Sequence, residues 1–138
     1  MNQYRISSAK MWFDINRQFD KSGGVYILKC SNEDNTFEPI PINRLLKSDK
    51  EGILYIGKAN CFTNRVADLK KSLSPEYTSS SHECGARYKS NELFLKKLPF
   101  NRLFVELHKS DNPRILEGKF LEKYEREFGE LPPFNRSS

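Results

Sequence analysis

The chain of 138 residues has the length of one compact domain closing a single modest core, and two full domains would not fit into it. With 37% hydrophobic, 12% aromatic and 30% charged residues it reads as globular rather than disordered, and nowhere does it reach the roughly 20 consecutive apolar residues of a membrane span. The net charge of +5 is carried by the middle third, where Lys58 to Arg102 holds nine bases against four acids; a phosphate-rich partner and an ordinary solvated face are both open readings of that excess.

The opening residues, MNQYRISSAKMWF, lack the apolar run and small-residue cleavage site of a secretory signal, and the expected setting is cytoplasmic. Met11, Trp12, Ile15 and Phe19 share one helical stripe, with Ser7 or Ser8 to cap it and Gly23-Gly24 to stop it. Gly24 to Cys30 is apolar on both faces, the pattern of an interior strand. The polar stretch 31–50, with Pro39 and Pro41, predicts a loop or insertion with a turn of helix at Ile42 to Leu46.

Ile53 to Lys58 predicts a second strand, in which Gly57 marks either an ending or a place where another group must approach the backbone closely. Phe62, Val66, Leu69 and Leu73 predict a helix over Thr63 to Leu73, capped by Thr63 or Asn60. The Ser-rich stretch 74–91 predicts a long loop. Leu103 to His108 alternates as a third strand with one wetter face, and DNPRILEGKFLEKYEREFG predicts the clearest helix, with Asp111 or Asn112 to cap, Pro113 in the first turn and Gly129 after the end. The expected fold is α+β, a small three-stranded antiparallel sheet flanked by helices in one domain spanning 1–138, with residues 1–22 as a helical N-terminal extension.

Several residues carry chemistry or stand out of pattern. Cys30, Cys61 and Cys84 are odd in number and form no CxxC pair, which suits reduced thiols; His82 and Cys84 lack the two further ligands of a zinc site. In the last helix Glu117 falls in the arc of Leu121, Tyr124 and Phe128, where a carboxylate is costly unless paired, hydrogen-bonded or on a metal; its nearness to the helix N-terminus is the alternative explanation. Phosphodiester hydrolysis needs a hard cation on a carboxylate, a positive group for the phosphate and a group to handle water's proton, and the chain has a candidate for each.

GVY at Gly24–Tyr26 and YIG at Tyr55–Gly57, followed by Lys58, by Arg65 ten residues after Tyr55, by Glu117 in ILEGKF and by Asn135 in PPFN, make an ordered set that resembles the GIY-YIG endonuclease family. The resemblance covers roughly 24–135 and is closest to small stand-alone phage or restriction-type members. It implies a divalent-metal-dependent nuclease acting on DNA, most naturally double-stranded, with Mg2+ or Mn2+ held by Glu117. It further implies Tyr26 as general base or water-positioning phenol, Tyr55 on the scissile phosphate, Arg65 and Lys58 stabilising the transition state, and Asn135 bracing the site. The expected DNA contacts are Lys70, Lys71, Arg87, Lys89, Lys96 and Lys97. Arg87, followed by Tyr88, competes with Arg65 as the catalytic arginine, and spacing favours Arg65.

Two departures qualify the resemblance. Many members carry Tyr or His four residues after the helix arginine, where this chain has Leu69; His82 is the natural substitute, with a merely solvated loop histidine as the plainer reading. The 29-residue step from Tyr26 to Tyr55 is also longer than in the shorter members. Leu69 is the best support for a second class of function, a catalytically inactive GIY-YIG-fold module that binds nucleic acid or protein.

Overall fold

The computed structural model describes residues 2–76 and 82–135. In chain order the elements are β1 (Gln3–Arg5), α1 (Met11–Phe19), β2 (Gly24–Cys30), β3 (Ile42–Asn43), β4 (Ser48–Asp49), β5 (Tyr55–Ala59), α2 (Phe62–Leu73), α3 (Glu83–Lys89), α4 (Glu92–Lys97), β6 (Leu103–Lys109) and α5 (Pro113–Phe128). The class is α+β, and the main sheet is antiparallel with strand order β1-β6-β2-β5. It has four strands where three were expected. The addition is β1, which pairs Gln3–Arg5 with Glu106–Phe104 at the outer edge of β6; a three-residue strand is too short to show a period of two in sequence.

Strand β2 is buried along its whole length because both faces are covered. Tyr26, Leu28 and Cys30 join Met11 and Ile15 of α1, Val66, Leu69 and Leu73 of α2, and Cys84 and Tyr88 of α3 in the larger core. Val25 and Ile27, with Ile56 of β5, pack under Leu121, Tyr124 and Phe128 of α5. The wetter face of β6 holds Glu106 and His108, as its alternation predicts. There the buried ammonium of Lys29 lies 2.8 Å from Glu106 and 3.5 Å from Glu51. The nearby His108 ring, 3.5 Å away, with hydrogen bonds from Lys29 and Gln3, holds the Glu106 carboxyl down at about 2 against the cost of burial.

Three local expectations give way. Residues 42–46 form no helical turn: Ile42–Asn43 pairs with Ser48–Asp49 as a small antiparallel ribbon, bent through Arg44 to Lys47. Asp49, fully buried, accepts N–H bonds from Glu51 and Ile53 and the Tyr124 hydroxyl, and so ties the ribbon to α5. The expected loop over 74–91 contains α3, capped by His82 rather than by one of the usual small polar residues, and α4 follows with Asn91 as its cap; residues 77–81 of that stretch lie outside the described residues. Caps expected elsewhere also shift. Helix α1 starts at Met11, three residues beyond its nearest serine candidate, and α2 starts at Phe62 with no side-chain cap. Helix α5 matches its signals: Asn112 Oδ1 accepts the Ile115 N–H, Pro113 lies in the first turn, and Gly129 ends it in the left-handed region at φ 83°.

Strand β5 forms one edge of the sheet, and the C-terminal segment covers its outer side. The Phe134 N–H donates to Leu54 O at 2.9 Å, and the Asn135 side chain makes both bonds a further strand would make to Ile56, Oδ1 accepting its N–H at 2.9 Å and Nδ2 donating to its carbonyl at 3.0 Å. We expect Asn135→Ala, which leaves both Ile56 groups without their protein partner, to destabilise the domain by about 1–2 kcal/mol, read as a fall in the chemical-denaturation midpoint at an unchanged m-value.

Candidate active site

The sheet places Tyr26 opposite Gly57 and Leu28 opposite Tyr55. Tyr26 lies on a central strand, but its ring passes over the neighbouring backbone toward the open edge of β5. A Cβ at position 57 would sit 2.4 Å from the Tyr26 Cζ and 2.5 Å from its hydroxyl. The requirement on Gly57 is therefore room for a phenol, the close approach expected from its place in the strand.

Beyond Gly57 opens a cleft of about 380 Å3 lined by Tyr26, Tyr55, Lys58, Ala59, Asn60, Arg65 and Glu117. Five of these seven are residues singled out from sequence, brought from β2, β5, α2 and α5. Ala59 and Asn60 were not, though Asn60 directly follows the YIGKA strand. Arg65 reaches in from the first turns of α2, and its guanidinium favours the ionised form of the Tyr26 phenol. Glu117, half-buried, extends the α5 stripe of Leu121, Tyr124 and Phe128 past the end of the core. Burial raises its pKa, while the charge and backbone of Lys58 and then the Arg65 guanidinium oppose the rise. The misplaced carboxylate of the helical pattern is thus held at the rim between two cations.

The phenols are kept protonated. Burial, then the neighbouring Tyr55, pushes Tyr26 well above the ordinary tyrosine value, against the pull of Arg65. Burial, with Cys84 and Glu83 nearby, pushes Tyr55 up to about 12. The two rings are tilted at 40° with centroids 6.0 Å apart. Behind them lies His82, buried, its Nε2 2.9 Å from the Tyr26 hydroxyl and its Nδ1 accepting the Cys84 N–H at 3.2 Å. Burial and then Arg65 lower the His82 pKa to about 4, so the ring is neutral at physiological pH. Leu69 is wholly buried in the core; the imidazole beside the Tyr26 phenol comes from the α3 cap, a position that helical spacing on α2 cannot reveal.

The other sequence candidates lie outside the cleft. Asn135 braces β5 from behind without lining it. The Arg87 guanidinium donates to Pro133 O and Asn135 O, so that α3 holds the C-terminal segment in place, and Lys70 donates to Ser8 O between α2 and the start of α1. Lys89 is partly buried at the end of α3, whereas Lys71 and the α4 pair Lys96 and Lys97 are exposed.

Glu117 is the one carboxylate lining the cleft among the described residues, and no group of three or more His, Cys, Asp or Glu gathers there or elsewhere among them. Magnesium and manganese are nonetheless compatible with this donor set, since a hard ion of this kind is commonly bound through one or two carboxylates and keeps several waters.

Comparison with models of protein families, with curated proteins and with solved structures finds no match to this chain. Among the described residues no helix is long and apolar enough to cross a membrane.

The crossing of Tyr26 over Gly57 predicts a specific non-additivity. Gly57→Ala should cost about 1–3 kcal/mol by overpacking, whereas in a Tyr26→Ala background the same change should cost clearly less because the clashing ring is gone. A double-mutant cycle from denaturation midpoints measures the difference.

Proposed function

We propose that the cleft hydrolyses phosphodiester bonds in DNA with the help of a divalent metal ion, and that the chain carries the GIY-YIG nuclease fold. The observation that carries this reading is the convergence of Tyr26, Tyr55, Lys58, Arg65 and Glu117, spread over 92 positions of sequence, on one cleft. The order of these residues, the antiparallel α+β sheet that holds them and the Asn135 brace support it further.

Each side chain suits one part of the work. The planar Arg65 guanidinium can meet two phosphate oxygens in the cleft it shares with Tyr26, and Lys58, exposed on the flanking strand, adds a second positive charge for the transition state. Tyr55, kept protonated, donates to a phosphate oxygen. Tyr26, also kept protonated by burial, is better suited to orienting the attacking water than to removing its proton. Glu117 would hold the magnesium or manganese ion, which when bound supplies Lewis-acid stabilisation of the phosphate and a more acidic water. Lys71, Lys96 and Lys97 are exposed basic residues placed to follow a DNA backbone, a contribution weakened by salt.

Supercoiled plasmid incubated with magnesium or manganese tests the reading. The parent protein should nick or cleave it; Glu117→Gln should abolish metal-dependent cleavage while still binding DNA, and Arg65→Ala should slow single-turnover cleavage by about 100-fold or more. Binding by the parent protein without cleavage would favour the inactive binding module instead, and unimpaired cleavage by Glu117→Gln would remove Glu117 as the metal ligand.

A further inference from the structure

The contacts of the two His82 ring nitrogens determine what it can do for Tyr26. A backbone N–H can only donate, so the nitrogen facing Cys84 N, Nδ1 at 3.2 Å, must present its lone pair. In a neutral imidazole the proton then resides on Nε2, the atom 2.9 Å from the Tyr26 hydroxyl. His82 is therefore a donor to Tyr26 and not an acceptor of its proton. The Arg65 guanidinium, near enough to favour the ionised phenol, offers no acceptor either. With His82 donating to the oxygen and Arg65 unable to accept, the phenol's own hydrogen is left to turn toward the open cleft shared with Tyr55, Lys58 and Glu117.

We propose that His82 is a positioning residue for Tyr26: locked in one tautomer by the Cys84 N–H, it holds the Tyr26 oxygen as an acceptor and turns the phenolic hydrogen into the cleft, where it orients the reacting water or phosphate. This rests on the nuclease reading for what enters the cleft, but the tautomer and the direction of the hydrogen bond do not. It also gives the histidine cap of α3 a second role. The same ring that ends the helix with Nδ1 aims the phenol with Nε2, so the seating of α3 and the geometry of the cleft depend on one side chain.

The two nitrogens can be separated by substitution. Gln at position 82 can place an amide N–H near the Nε2 position and keep the donor to Tyr26, while giving up the cap. Asn keeps an oxygen near the Nδ1 position and is a good helix cap, but is too short to reach Tyr26. We expect His82→Asn to retain the parent melting temperature within about 2 °C yet lose about tenfold in the cleavage rate constant with little change in substrate affinity, and His82→Gln to melt about 3–5 °C lower yet cleave within about threefold of the parent. A merely structural histidine would make activity follow stability, and that order of rates would overturn the proposal. The tautomer itself is read by nitrogen-15 NMR of the imidazole rings in the parent protein, a simple spectrum because the chain has 2 histidines. A proton on His82 Nε2 supports the assignment, and a proton on Nδ1 overturns it. Failure of the parent protein to cleave DNA would count against the nuclease reading alone, with the tautomer spectrum still deciding the role of His82.

Discussion

A phenol on an interior strand has to reach an edge of the sheet, and the rest of the site depends on how it does so. Tyr26 sits one strand in from the edge, where its backbone is fixed by pairing to β6 on one side and β5 on the other. Only the missing side chain at Gly57 lets its ring cross β5 and present the hydroxyl to the cleft. The phenol is thus held by a core strand, in a way that a residue on a loop or an edge could not match. Its oxygen then meets His82 from the cap of α3, with the Arg65 guanidinium of α2 lining the same cleft. Burial is the cost of that placement and keeps the hydroxyl protonated, which limits it to orienting partners by hydrogen bonds near neutral pH.

Strand β5 is the second organising element. Along its outer side Leu54 O takes the Phe134 N–H and Ile56 takes both bonds of the Asn135 amide, while Lys58 further along lines the cleft with Glu117. An edge strand exposes unpaired backbone groups that invite pairing with other chains. Here the C-terminal segment takes up those at Leu54 and Ile56, and the candidate metal-binding residue lies beside the next stretch of the edge. Arg87, a candidate DNA contact by charge alone, holds the backbone of that same segment through Pro133 and Asn135. Packing of the C-terminal residues and placement of Glu117 are therefore parts of one structure along one edge.

Much of this was legible in the residues, for identifiable reasons. The core strands and α5 show strong periodicity, and α5 has its cap, proline and terminal glycine in sequence, so burial and hydrogen bonding act on the pattern directly. Glu117 was visible because a carboxylate in an apolar arc breaks that pattern. Tyr26, Tyr55, Lys58 and Arg65 needed the ordered resemblance, since periodicity leaves each as an ordinary strand or helix residue. What stayed hidden depends on contacts between distant segments. Strand β1 is too short for a pattern, and the β3–β4 ribbon is fixed by buried Asp49 reaching Tyr124, 75 positions away. His82 looked like a residue of a polar loop because α3 is a short helix that gains its stability by packing Cys84 and Tyr88 into the core, and its cap is an imidazole rather than a residue known for capping.

The central claim is that Glu117 and the cations and phenols around it form a single metal-dependent phosphodiester site at the edge of β5. Manganese titration followed by paramagnetic broadening of backbone amide resonances tests it most directly. The account predicts that Lys58 and Glu117 broaden first, that Asn60 and Arg65 follow, and that Glu117→Gln removes the effect. Broadening centred on another part of the surface, or unchanged by that substitution, would contradict it.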